Sequence, residues 1–123
     1  MSARRISIPE RMRRLQRLGC IIAHMEGRPW EPADIHHLTI NGYRRLSGGD
    51  INTIPLSPWH HRSCCKEGLS EKQMEALFGP SLALSKRKFV QKYGTEMELL
   101  DRVNEAIGSY ERKETNERES YDP

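Results

Sequence analysis

The sequence is short of apolar side chains. Of its 123 residues, 36% are hydrophobic and 7% aromatic, with two Phe, two Trp and four Tyr. Globular domains usually carry about 45–50% apolar residues, so a single thin core is expected, and the length excludes a two-domain enzyme or a large cofactor-binding scaffold. No apolar run approaches the ~20 residues of a membrane helix, and the first residues lack the apolar stretch of a secretory leader. A cytoplasmic protein without membrane contact is the expectation. Cysteine is scarce and odd in number (Cys20, Cys64, Cys65), so no disulfide framework can form. That fits a reducing compartment and leaves metal ligation or plain thiols as their uses. A large charge of one sign is also missing, since 20 Lys+Arg against 17 Asp+Glu leave a net of +3.

What charge there is lies unevenly. Residues 1–18 hold six arginines against the single Glu10, a net of +5, and residues 111–123 hold five acids against three bases, a net of −2. The front reads as a basic N-terminal helix over 1–18, either a solvated face or a DNA contact through Arg13, Arg14 and Arg17. The end reads as a disordered acidic tail. Between them, residues 19–110 form the expected folded domain.

Helix signals punctuate the chain. Ser7 with Glu10, and Pro9 between them, caps a helix carrying Met12, Leu15 and Leu18 and ending at Gly19. Residues 20–25 and Ala33–Ile40 read as two short strands, and Ile51–Leu56 as a third extended piece. Ser57-Pro58 starts a helix expected to carry His60, His61 and Cys64. Ser70 and Gln73 open a helix through Phe78, a further helix spans about 82–93, and Thr95 with Glu98 opens a last one with Leu99, Leu100, Val103 and Ile107 at helical spacing. The class is α+β with little strand. Trp59 is expected to plug the thin core, and Trp30 to lie in a loop.

Four of the five histidines stand in adjacent pairs, His36-His37 at a strand end and His60-His61 at a helix start. Neighbours on a strand splay to opposite faces, so one ion cannot easily take both His36 and His37. One ligand and one base is a better division, with the partner ligand supplied by His60-His61. Structural or surface pairs remain the alternative.

Ile35-His36-His37-Leu38, a glycine-bearing loop, and then Asp50-Ile51-Asn52-Thr53-Ile54-Pro55-Leu56-Ser57-Pro58-Trp59-His60-His61-Arg62 resemble the histidine signature of HNH (ββα-metal) endonucleases. More narrowly they resemble the phage recombination-enhancement, RecA-dependent nucleases, over roughly residues 12–107. That resemblance implies a ββα-metal hairpin-and-helix with additional packed helices. It implies a metal-dependent DNA endonuclease of phage or prophage origin, working in recombination with DNA and a RecA filament as partners. His36 and His61 become metal ligands, with His60 a less defined third, and His37 becomes the general base. Asn52 or Thr53 takes the middle position of the motif, where Asn52 could orient His37. The ion would be Mg²⁺, Zn²⁺ or Mn²⁺. Arg44, Arg45 and Arg62 are candidate phosphate contacts beside the N-terminal arginines.

Members of the family that the sequence resembles commonly carry a Cys-x-x-Cys before the first strand and a cysteine before the second histidine pair, a set that looks like a structural zinc site; here those positions read Cys20, Ala23 and Ser57. A substitute zinc set of Cys20, His24, His60 and Cys64 can be drawn from two i,i+4 pairs. Its alternative is that Cys20 is core and His24 solvated. Two other function classes stay open: a catalytically inactive DNA- or recombinase-binding module, and a small zinc-stabilised interaction protein.

Overall fold

Ser7 begins the first helix as its spacing predicts: the hydroxyl accepts from the Glu10 amide at 3.2 Å, and Pro9 falls in the first turn, where no intrahelical bond is lost. This computed structural model describes residues 6–38 and 52–108. Arg44, Arg45 and the acidic tail at 111–123 lie outside them. Among the described residues the chain runs α1 (Ile8–Leu18), α2 (Ile21–Met25), β1 (Asp34–His37), β2 (Thr53–Leu56), α3 (Pro58–Arg62), α4 (Glu71–Phe78), α5 (Lys86–Tyr93) and α6 (Glu96–Ile107). The fold is α+β, as expected, and is compatible with a small ββα-type motif plus further helices. None of the described helices is long and apolar enough to cross a membrane.

The caps of α3, α4 and α6 match their sequence signals. Ser57 accepts from the His60 amide, and Ser70 and Thr95 each complete a reciprocal capping box with Gln73 and Glu98. Three expectations need correction. In place of the strand expected over residues 20–25 stands the helix α2, whose Ile21, Ile22 and Ala23 are all buried. A short apolar run enclosed on every side has no periodicity to separate the two states. The helix after Ser57 stops before Cys64, because Ser63 turns left-handed at φ 60° and directs the Cys64 amide back to the Pro58 carbonyl. The helix expected from 82 begins only at Lys86, since Ser81 binds the Leu84 amide in a local turn and Ser85 then caps α5.

The two strands pair antiparallel, with Asp34 opposite Leu56, Ile35 opposite Pro55, His36 opposite Ile54 and His37 opposite Thr53. A two-stranded sheet has only edge strands, where a strand proline is tolerated. All four residues of β2 are buried, and Leu15, Ile21, Ile22, Ile54, Leu56, Phe89, Leu99 and Val103 have no exposed surface at all. The core is thus drawn from both ends of the chain onto one short strand.

Arg11 departs from the solvated or DNA-facing helix expected at the front. It is 2% exposed and donates to the Thr53 hydroxyl (3.0 Å), the Thr53 backbone carbonyl (2.6 Å) and the Asn104 side-chain oxygen Oδ1 (2.7 Å). Three bonds to a guanidinium, each worth roughly 1.5–3 kcal/mol, hold α1, β2 and α6 together. Arg11 precedes Leu15 by one turn, so it shares the inward face of α1 with the apolar stripe.

Candidate functional site

Strand alternation sets Asp34 and His36 on one face of β1 and Ile35 and His37 on the other. The short helix α3 packs against both strands, and its His61 meets the first of these faces. The His36 and His61 rings lie edge to face, with centroids 5.1 Å apart at 67°. His61 donates from Nδ1 to Asp34 Oδ2 at 3.1 Å, and His36 from Nε2 to Glu96 Oε2 at 3.0 Å. An ionised carboxylate only accepts, so these bonds place the protons on those nitrogens and leave the His36 Nδ1 and His61 Nε2 lone pairs for other work. Arg62 adds its Nε–H to the same Asp34 oxygen at 2.6 Å. Chiefly through that bond, and secondarily through His61, Asp34 is held below the ordinary carboxylate range.

The two carboxylates that anchor these rings are not singled out by the sequence alone. Asp34 was legible in principle, because Asp-x-His on a strand puts both side chains on one face. Glu96 was not, since its position as the first residue of α6 says nothing about reaching His36, 60 residues away in sequence.

His60 follows a different course from its neighbour. It is wholly buried; its Nε2–H donates to the Phe78 carbonyl at 2.8 Å, and its Nδ1 accepts from the Ser57 hydroxyl at 2.8 Å. Phe89 and Tyr93 pack edge-on against the ring. Burial lowers its pKa below the ordinary histidine value. With both ring nitrogens satisfied inside the core, His60 stands apart from the His36–His61 pair. Trp59 fills the expected core role, donating its indole N–H to the Gly79 carbonyl, while Trp30 is exposed.

The remaining candidates divide. His37 is half-buried opposite Thr53 at the end of β1, and Asn52 extends the ladder by accepting the Leu38 amide at its carbonyl. Thr53 is committed to Arg11, so of the two middle-position candidates Asn52 is the one not enclosed in the core. Of the four residues drawn as a substitute zinc set, Cys20 Sγ and His60 Nδ1 approach to 3.9 Å. His24 is exposed beside Arg102 and Glu105, and Cys64 is exposed beside Pro58 and Lys66, so neither joins them. On α1, Arg13, Arg14 and Arg17 gather around Glu10 at 2.8, 2.8 and 3.7 Å, and Arg14 also donates to the Ile107 carbonyl. Hydrogen bonds from Arg14 and then Arg13 lower the Glu10 pKa to about 2.

Among the described residues, no three His, Cys, Asp or Glu side chains converge as a metal cage. The chemistry of the donor set nevertheless fits a divalent ion held by two imidazoles. Each ring has one nitrogen anchored by a carboxylate and one lone pair left over, the usual arrangement behind a metal-binding histidine. Residues 8–108 match the family model for recombination enhancement, RecA-dependent nucleases. No curated protein and no solved structure matches the chain.

Proposed function

Because the chain belongs to the family of recombination enhancement, RecA-dependent nucleases, we propose that it is a divalent-metal-dependent DNA endonuclease of the HNH type, centred on His36 and His61. The observation that carries this reading is the meeting of those two rings at 5.1 Å with a carboxylate behind each. They come from separate elements, β1 and α3, and a pair serving only packing has no need of two buttressed imidazoles. The divalent ion, when bound by His36 and His61, supplies charge neutralisation at the phosphate and the leaving oxygen.

The chain's own residues account for the rest. His37, next to His36 at the C-terminal end of β1, takes the proton of the attacking water on a ring nitrogen. The water oxygen bonds to phosphorus, the P–O3′ bond breaks, and the 3′ oxygen leaves with a proton from solvent. General-base catalysis of this kind contributes about 10²–10⁴-fold. Asn52, at the start of the facing strand, positions His37. Asp34 and Glu96 fix the tautomers of His61 and His36, so that their lone pairs need no reorganisation during reaction.

A second assignment is favoured by one distance, the 3.0 Å from Glu96 to His36 Nε2. A carboxylate–imidazole dyad of this form also suits a general base, with His36 Nδ1 taking the proton. The two assignments separate cleanly. If His36 is a ligand, His36→Ala loses metal binding together with cleavage; if it is the base, the variant binds metal and does not cut.

The deciding experiment is nicking of plasmid and cutting of single-stranded DNA with Mg²⁺, Mn²⁺ or Zn²⁺, with and without a RecA filament, for wild type, His37→Ala and His61→Ala. Metal-dependent cleavage lost in both variants is the expected result. Absence of cleavage by folded wild type under every condition overturns the reading in favour of a DNA- or recombinase-binding module.

A further inference from the structure

Of the basic charge that the front of the chain advertises, Arg11 is buried, and Arg13, Arg14 and Arg17 share the single Glu10, so three cations meet one acid on the surface of α1. A different element carries basic charge with less acid beside it. Between Glu75 and Glu96 the chain has no acidic residue and four cations, Lys86, Arg87, Lys88 and Lys92, all on α5 and all exposed. Lys86 and Arg87 have no ion-pair partner among the described residues. Lys88 meets Glu75 only at 3.5 Å, with both side chains well exposed, a contact of little worth.

At 100° per residue, Arg87, Lys88, Gln91 and Lys92 fall on one side of α5, opposite the buried Phe89 and Tyr93. Those two anchors hold the helix against His60, the residue beside His61. The helix ends at Gly94, two residues before Glu96, which holds His36. An acid-free cationic face thus leads into the element that buttresses the candidate centre. From Arg87 to Lys92 the helix rises about 7.5 Å, enough to face roughly two phosphates of one strand.

We propose that the outer face of α5 is a phosphate-backbone contact that binds DNA beside the His36–His61 centre. The inference rests on the nuclease reading for its occupant; the placement of the charge does not depend on it. Without aromatic side chains on that outer face, the contact is electrostatic and carries no base preference.

The test is binding of fluorescent single-stranded and duplex oligonucleotides by the full chain at several salt concentrations, with chelator present so that nothing is cut. The variants are Arg87→Gln/Lys92→Gln on the outer face of α5 and, as comparison with the same number of charges removed, Arg13→Gln/Arg17→Gln on α1. The slope of log K against log salt is expected to flatten by about 2 in the α5 variant, and by less in the α1 variant. An unchanged thermal midpoint excludes misfolding as the cause, because glutamine keeps helix propensity at these exposed positions; one salt-pair charge, Lys88, is left in place. An unchanged slope in the α5 variant, or a larger flattening in the α1 variant, overturns the proposal. So does a variant that binds DNA as wild type yet fails to co-sediment with RecA–DNA filaments, which would make the face a protein dock. Failure of the nuclease reading shows separately, as wild type that never cuts with metal.

Discussion

His60 and His61 are consecutive residues of one short helix, and they do opposite things. One is enclosed by Ser57, Phe78, Phe89 and Tyr93 with both nitrogens occupied; the other turns about 100° around the helix to meet His36 and Asp34. The enclosed ring joins α3 to the end of α4 and the face of α5, whereas its neighbour keeps one lone pair available. Adjacent histidines on a helix thus need not share an environment. One step of helix rotation sends the first ring into the core and the second to His36 and Asp34, so under the proposed function only the second is available as a ligand.

Substitution should separate the two residues most sharply. His61→Ala is expected to lower cleavage by at least about 100-fold while leaving the thermal midpoint nearly unchanged, measured by plasmid nicking and by calorimetry on the same preparation. His60→Ala is expected to cost about 2–3 kcal/mol of stability, because it leaves the Ser57 hydroxyl proton without its acceptor, removes one of the two side-chain bonds to the Phe78 carbonyl, which keeps Tyr93, and leaves a cavity beside Phe89. A His60 variant that is fully stable but inactive would break the comparison.

Arg11→Met extends the contrast to the arginines. Like His60, Arg11 is enclosed, and its loss leaves the Thr53 carbonyl and the Asn104 carbonyl oxygen without it; about 3 kcal/mol of destabilisation is expected in denaturant titration, against a small change for Arg13→Gln. Next in size come the carboxylates. Asp34→Asn and Glu96→Gln should each lower metal affinity or cleavage by about 10–100-fold with the fold intact, read by metal titration and nicking. Equal activity in both variants would mean that the carboxylates do not set the orientation of the rings.

The smallest expected effect is in pH. Burial lowers the His60 pKa in the folded protein, so the unfolded chain takes up its proton first as pH falls. The contribution is therefore complete above the ordinary histidine value near 6.5 and is lost as pH falls below it, toward the folded value. Wild type should lose thermal stability between about pH 7 and 5, and His60→Gln should lose less over the same interval. An identical pH profile for the two proteins would show that other groups govern that range.

Local features were the legible part of this molecule. Ser7, Ser57, Ser70 and Thr95 cap helices as their spacing predicts, because a cap satisfies backbone donors within three residues of itself. The runs that become β1 and β2 read as extended segments, whereas which of the three expected runs pair was decided by the structure, where the first of them is the helix α2. The candidate site was legible only in part. His36 and His61 stand out as members of paired imidazoles, while neither Asp34 nor Glu96 is singled out by the sequence. The short apolar helix α2 read as strand, since an enclosed run of five residues carries no amphipathic signature.

The amino-acid order by itself determined the class of the fold, most helix boundaries and the residue types of the centre, all matters of spacing within one or two turns. Only the tertiary structure decided which histidine of the second pair is enclosed, which arginine of the first helix is buried, and that Glu96 reaches His36. Those outcomes depend on which face of an element is covered by segments distant in sequence, from 18 residues for His60 and Phe78 to 93 for Arg11 and Asn104. Spacing along the chain sets the direction of a side chain relative to its own backbone. What that side chain meets is set by packing, where burial removes water and obliges each polar atom to find a partner.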